Sequence, residues 1–219
     1  MKRTMGMNRD LFCSAAMAAI ALLGGCNANT PPSSAAVGGT ARGNVIQNSE
    51  GARADTAQAY QLISDGKYGQ AEPVLKEAIV YDPMYGPAHN DLGLVYFRLN
   101  RLYEAAWEFE DAAKLMPRQP EPQNNLGLVL EQADQLKEAL AAYDKAYQLE
   151  PGNPEYIGNL ARAHVRMGDK DEETQKLLQE LVLRDNRPDW SDWARTNLLR
   201  IRGSILEDPA NAPKSRSAP

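Results

Sequence analysis

The sequence has 219 residues, of which 43% are hydrophobic, and its formal net charge at pH 7 is −5. A duplex-binding protein needs clustered Lys and Arg to displace counterions, so this mildly acidic balance argues against nucleic acid as a partner. The same balance argues against a polybasic membrane-binding patch. Ala, Leu, Glu and Gln are frequent. These residues favour helix, so we expect an all-α chain.

The amino terminus has the pattern of an export signal. Lys2, Arg3 and Arg9 precede an apolar run at residues 11–23. A membrane-spanning helix needs ~20 apolar residues, and this run is shorter. A short apolar run behind a basic stretch is typical of a cleavable signal peptide, which we predict here.

The motif LGGC at residues 23–26 resembles the lipobox of bacterial lipoproteins. The resemblance implies that the signal peptide 1–25 is removed and that Cys26 is acylated on its sulfur and on its new amine. Each buried CH₂ contributes about 0.8 kcal/mol, so three acyl chains would make the membrane anchor practically permanent. Asn27 follows the cysteine, and by resemblance this favours the periplasmic face of the outer membrane. The alternative is an ordinary secretory signal with an incidental cysteine.

The segment after the cysteine predicts a tether. Residues 27–50 are rich in Ser, Ala, Gly, Pro and Asn and show no helical period. Such a segment cannot bury enough apolar surface to offset its ordering entropy. We therefore predict that 26–50 comprises the lipidated Cys26 and a flexible tether.

A period of 34 residues begins beyond the tether. The plainest markers are Pro83, Pro117 and Pro151, each 34 residues after the last. Small and aromatic residues recur at the same step: Ala71, Ala105 and Ala139; Leu75, Phe109 and Tyr143; Leu92-Gly93 and Leu126-Gly127. This period and pattern resemble the tetratricopeptide repeat (TPR). The resemblance implies an all-α, right-handed superhelix of helix–turn–helix units. Within 51–185 we assign four units: about 52–85, 86–119, 120–153 and 154–187.

The markers also predict the packing within each unit. Gly93 and Gly127 lie in first helices, where a small residue lets the second helix approach closely. We expect left-handed backbone in the turns between helices, where tolerant residues stand: Gly66, Asn100, Asp134 and Gly168. The predicted helices are about 52–65, 68–81, 86–98, 102–115, 120–132, 136–149, 154–166 and 171–184. Unit four fits better if its second helix is shifted by one residue, which makes Thr174, Leu178 and Leu181 its core positions.

The carboxyl-terminal part predicts a cap. A helix at 188–203 carries an apolar stripe that begins with Trp190 and Trp193, and Gly203 would end it. The two Trp residues either pack on the last repeat or form an exposed hot spot, which makes a homodimer conceivable. Residues 204–219 are predicted to be disordered.

The family resemblance implies that first helices line a concave groove for a partner. Counting along the units gives these partner-binding candidates: Asn90, Leu94, Phe97, Arg98, Asn124, Asn125, Leu128, Glu131, Gln132, Asn159, Arg162, Val165 and Arg166. Asn can satisfy both donors and acceptors of an extended backbone, and Arg can pair with a carboxylate. Alternatively, Asn125 and Asn159 brace neighbouring repeats. The chaperone-tail carboxylate clamp of some TPR proteins is not supported, because Asn90 and Leu94 occupy its first Lys and Asn places.

We find no catalytic motif, phosphate loop or metal-ligand spacing, so we expect no enzyme, cofactor or metal. The two histidines, His89 and His164, occupy positions that the repeat pattern fills with core aromatics, which favours packing over chemistry. The first functional hypothesis is a membrane-anchored scaffold that binds envelope proteins for pilus or secretion machinery. The alternative is an adaptor for cell-wall hydrolases or envelope proteases, and an enzyme has the least support.

Overall fold

A computed structural model of the protein describes residues 48–207, with side chains described to Ser204. The predicted signal peptide, Cys26 and residues 27–47 of the tether lie outside this range. Within it the chain forms nine helices and no strand: α1 (Ser49–Ser64), α2 (Tyr68–Tyr81), α3 (Gly86–Arg98), α4 (Leu102–Leu115), α5 (Glu121–Gln132), α6 (Leu136–Leu149), α7 (Pro154–Met167), α8 (Glu172–Arg184) and α9 (Pro188–Glu207). None of these helices is both long and apolar enough to cross a membrane.

The helices stack as successive hairpins. Helix α1 packs on α2, α3 on α4, α5 on α6 and α7 on α8, while α9 packs on α8. Each hairpin also contacts the next through its second helix, and the first helices α1, α3, α5 and α7 contact one another in order. The all-α solenoid predicted from the 34-residue period is confirmed.

The turns inside the hairpins have the predicted left-handed backbone. Gly66 has φ 72°, Asn100 59°, Asp134 60° and Gly168 87°. Asn and Asp are the non-glycine residues that tolerate this conformation best. One such residue per unit therefore reverses the chain in each hairpin, as the sequence predicted.

Glycines on first helices receive aromatic rings from second helices. A Cβ atom built on Gly93 would lie 2.8 Å from the ring of Phe109, and one built on Gly127 would lie 2.5 Å from the ring of Tyr143. Both rings are buried. This close approach confirms the predicted role of the two glycines and directs the apolar side of each hairpin inward.

The fourth unit has the predicted one-residue shift. Three residues separate α3 from α4, whereas four separate α7 from α8. The side chain of Asp171 accepts a hydrogen bond from the Thr174 amide at 2.8 Å and caps α8. Thr174, Leu178 and Leu181 are then fully buried.

Both ends of the solenoid differ from the prediction. Helix α1 begins at Ser49, inside the range predicted as tether, because Asn48 accepts a hydrogen bond from the Gly51 amide and caps it. Helix α9 continues through Gly203 to Glu207, so Gly203 does not end it and 204–207 is not disordered. A single helical Gly costs only about 1 kcal/mol, and buried residues such as Ile201 hold this helix to the core. Residues 208–219 lie outside the described range.

Candidate functional site

The predicted groove residues lie on three successive first helices, α3, α5 and α7. Their environments divide them into two groups. Some are buried and bonded to the neighbouring repeat: Asn124, Glu131 and Asn159. The others are partly or fully exposed: Asn90, Leu94, Phe97, Arg98, Asn125, Leu128, Gln132, Arg162, Val165 and Arg166. Only the second group is open to a partner in this structure.

Asparagines link the first helices of neighbouring repeats. Asn125 Nδ2 donates to Asn90 Oδ1 at 3.1 Å, and Asn159 Nδ2 donates to Asn124 Oδ1 at 2.7 Å. Asn124 and Asn159 are only 2% and 4% exposed. Buried amides need such partners, because leaving one unpaired costs free energy. The bracing alternative therefore describes the contacts of both Asn125 and Asn159, and Asn124 shares that role.

Asp91 lies next to Asn90, at the α3 end of these asparagine contacts. Asn90 Nδ2 donates to Asp91 Oδ1 at 3.4 Å, and Asp91 occupies the same place in its repeat as Asn125 and Asn159. Burial raises the pKa of the Asp91 carboxyl to about 6, and the hydrogen bond from Asn90 offsets only part of this. The repeat that contains α3 thus carries a carboxyl, at Asp91, where the next two repeats carry the amides of Asn125 and Asn159.

Glu131 joins three helices through a polar cluster. Its carboxylate accepts hydrogen bonds from Tyr143 Oη at 2.7 Å, from Arg162 Nε and Nη2 at 3.1 and 2.8 Å, and from Arg166 Nη1 at 2.9 Å. Burial would raise the pKa of Glu131, but the bonds from Arg162, Tyr143 and Arg166 outweigh it and lower the pKa to about 2. The cluster fixes the positions of both guanidinium groups, and it was not predicted from the sequence.

One of the predicted groove positions recurs with an apolar side chain that stays partly open to solvent. Leu94 and Leu128 occupy it in α3 and α5, and Arg162 occupies it in α7. One step of 34 residues before Leu94 lies Tyr60, whose side chain is 62% exposed. Tyr60 was not predicted as a partner-binding residue, although the 34-residue period places it at this position.

The histidines are held inside the repeats. His89 is 8% exposed and lies between Glu108 Oε2 at 2.7 Å and the Pro83 carbonyl at 3.1 Å. Burial lowers its pKa, but the bonds to Glu108 and Pro83 outweigh this and leave the pKa raised. His164 contacts Asp169 at 2.9 Å. Between Asn48 and Glu207 no group of three or more His, Cys, Asp or Glu is arranged to hold a metal.

The two Trp residues of α9 pack on the last repeat. Their rings meet edge to face, with centroids 5.9 Å apart. A Cβ built on Gly158 would lie 2.9 Å from the ring of Trp190, so this glycine admits the ring to α7. Arg162 stacks over the same ring at 5.4 Å. Trp190 and Trp193 remain half-buried, which agrees with the packing alternative.

Two family models described as tetratricopeptide repeat match the chain, at residues 56–122 and 130–195. Together they cover more than half of it. Comparison with curated proteins returned no match.

Solved structures share the fold at low identity. PilF of Pseudomonas aeruginosa has a TM-score of 0.60 and 19% identity, over 76% of this chain and 78% of that one. YrrB, a TPR protein with an unusual peptide-binding site, has a TM-score of 0.59 and 20% identity, over 74% of this chain and 89% of that one. The first TPR domain of Spaghetti (RPAP3), bound to the HSP90 peptide SRMEEVD, has a TM-score of 0.54 and 21% identity. The match covers 56% of this chain and 97% of that one. At these identities the likeness shows the fold alone.

Proposed function

Because this chain belongs to the tetratricopeptide-repeat proteins, we propose that it is an interaction scaffold that binds a segment of a partner protein along its first helices. The observation that carries the proposal is the position shared by Tyr60, Leu94 and Leu128. It repeats on α1, α3 and α5 with apolar side chains that remain partly open to solvent, whereas Phe109 and Tyr143 of the second helices are buried. Leu94 and Leu128 pack against the core with part of their surface, and the remaining surface of the row is open to a partner.

The polar residues beside this row suit a peptide backbone. Asn90 and Asn125 are partly exposed, and Gln132 is exposed although its Nε2 also donates to Asn100 Oδ1 at 2.9 Å. Side-chain amides offer both donors and acceptors, which an extended backbone requires. The peptide bound by the RPAP3 domain and the peptide-binding site of YrrB support this use of the fold. The partner is therefore expected to present apolar side chains on an accessible segment.

The test is a double substitution, Leu94→Ala with Leu128→Ala, in the full-length tagged protein purified from its native membranes. The loss of two apolar contacts is expected to weaken partner binding about thirtyfold. Partner recovery should fall accordingly, while circular dichroism shows a helical, folded chain at the assay temperature. Leu183→Ala is the matched control, because Leu183 is 84% exposed on α8. Undiminished recovery with the double variant, or an equal loss with the control, contradicts the proposal.

We further propose that the scaffold is lipid-anchored through Cys26 at the periplasmic face of the outer membrane and serves pilus or secretion machinery. The support is the LGGC motif, Asn27 and the following segment without helical period. Cys26→Ala is expected to abolish palmitate incorporation and to release the protein from the membrane fraction, because the acyl chains supply the anchoring free energy. A Cys26→Ala protein that stays in the membrane would contradict this anchor.

A further inference from the structure

A crevice runs between α7 and α9, at the end of the groove. Its main cavity, of about 550 Å³, is lined from α7 by Arg162, Val165 and Arg166 and from α9 by Trp193, Arg200 and the acidic Asp192. A cavity of about 250 Å³ adjoins it at Trp190, and one of about 200 Å³ continues it toward Lys170. We call this space the α7–α9 crevice.

The crevice exists because α9 is held mainly from one side. Helix α9 packs along α8, and Trp190 fits against Gly158 near the start of α7. Ala194 and Ile201 are buried in the core of the last repeats. Trp193 and Arg200, on the side of α9 that faces α7, therefore line an open space.

Positive charge gathers in the middle of the crevice. Arg162 and Arg166 share the single carboxylate of Glu131 as their close partner, with Asp134 at 3.6 Å from Arg166 and largely exposed. Arg200 is exposed on the opposite wall and has no ion pair with any described residue. The carboxylate of Glu131 thus leaves positive charge uncompensated between the two walls.

The rim charges do not cancel this excess. Asp192 pairs with Arg195 at 3.0 Å, and Asp169 lies beside Lys170 in the adjoining cavity, so the charges of Asp169 and Lys170 offset each other. Asp189 lies at the Trp190 end, away from Lys170, which is exposed at the other end. The region between Arg166 and Arg200 is therefore complementary to carboxylates.

The cationic groups are positioned before a ligand arrives. Glu131 holds Arg162 with two hydrogen bonds, and the guanidinium of Arg162 stacks on the ring of Trp190. A guanidinium that is already ordered loses little entropy when its remaining donors bind a carboxylate. The half-buried ring of Trp193 offers apolar surface next to these donors.

We infer that the α7–α9 crevice binds an acidic stretch of the partner segment, with one apolar side chain placed on Trp193. The inference rests on the proposed scaffold function and adds the orientation of the partner segment along the first helices. The apolar part of the segment lies on Tyr60, Leu94 and Leu128, and its acidic end lies between Arg166 and Arg200.

The test uses the full-length protein in detergent and a fluorescein-labelled peptide, Glu-Glu-Leu-Glu-Glu, with fluorescence anisotropy as readout. Its isostere with Gln in place of Glu is the control peptide. Arg200→Glu is expected to weaken binding of the acidic peptide about tenfold, because a charge that faces the ligand is reversed. Arg202→Glu makes the same charge change two residues away on the exposed face of α9, and it should leave binding within about twofold.

The peptide results decide on the crevice, and they can be distinguished from the results of the partner-recovery test. Tighter binding of the acidic peptide than of its Gln isostere, lost in Arg200→Glu and kept in Arg202→Glu, supports the crevice. No binding by the wild type, equal binding of both peptides, or equal effects of the two variants overturns it. Loss of partner with Leu94→Ala and Leu128→Ala alongside a negative peptide result would reject the crevice alone. A positive peptide result with an unaffected partner would reject the groove alone.

Discussion

Replacement of Gly127 by Ala is expected to lower the free energy of unfolding by about 3 kcal/mol, the upper range for overpacking a well-filled core. The new Cβ would lie 2.5 Å from the ring of Tyr143, a distance at which atoms must shift. Tyr143 is fully buried and its hydroxyl is bonded to Glu131, so the ring cannot turn away without breaking that bond. Urea unfolding followed by circular dichroism at 222 nm measures the change.

Gly69→Ala is the matched control for this variant. Gly69 lies in the first turn of α2, and a Cβ built on it meets no atom within 4 Å. Ala has the higher helix propensity, so this change should be neutral or stabilising by up to about 1 kcal/mol. Equal stability of the two variants would show that the second helices do not depend on the small residue opposite their aromatic ring.

Glu131→Gln is expected to lower the free energy of unfolding by about 2–3 kcal/mol. It removes the charge that pairs with Arg162 and Arg166 while it nearly preserves the side-chain volume. Breaking a fully buried ion pair costs roughly 3–5 kcal/mol, and the partial exposure of the two arginines reduces this figure. Glu104→Gln is the control, because its carboxylate pairs with Arg101 at the surface and should contribute less than about 1 kcal/mol.

The same substitution has a pH signature with a defined sign. The folded-state pKa of Glu131 is about 2, below its ordinary value of 4.5. The carboxylate therefore contributes its stability above about pH 4.5, and the contribution is lost as the pH falls toward 2. Unfolding measured between pH 7 and pH 3 should show the wild type and Glu131→Gln converging as the pH falls. A constant difference across this range would contradict the assigned pKa.

Much of the fold was predictable because it depends on short-range, repeated features. A left-handed turn needs one residue that tolerates positive φ. Such residues stand at the same place in each unit: Gly66, Asn100, Asp134 and Gly168. The shifted register of α8 was visible because a shift of one residue puts Thr174, Leu178 and Leu181 at the core positions in place of charged residues. The end of α9 was not predictable from Gly203, since burial of residues on the opposite side of the helix outweighs a small local cost.

The site was less predictable because its contacts cross between repeats. Counting along a unit places Asn124 and Glu131 on a first helix, but their burial depends on residues about one repeat away. Glu131 is covered by Arg162 and Arg166, which are 31 and 35 residues later. Only a three-dimensional stack shows that the same surface contains both braces between repeats and positions open to a partner.

This division determines which substitutions test function. Changes at Asn124, Asn159 or Glu131 alter the stack itself, because these side chains are buried and bonded across repeats. Changes at Leu94 and Leu128 remove surface that is partly open, so their effect on binding can exceed their effect on stability. A loss of partner is informative only in variants that remain folded.

We expect a partner to contact the row of Tyr60, Leu94 and Leu128 on the first helices. Site-specific photo-crosslinking in intact cells tests this contact most directly, with benzoylphenylalanine placed at Tyr60, at Leu128 or, as the control on a second helix, at Leu183. We predict one adduct of the same mass from Tyr60 and Leu128 and none from Leu183. An adduct from Leu183 alone, or no adduct from either groove position, would contradict the claim.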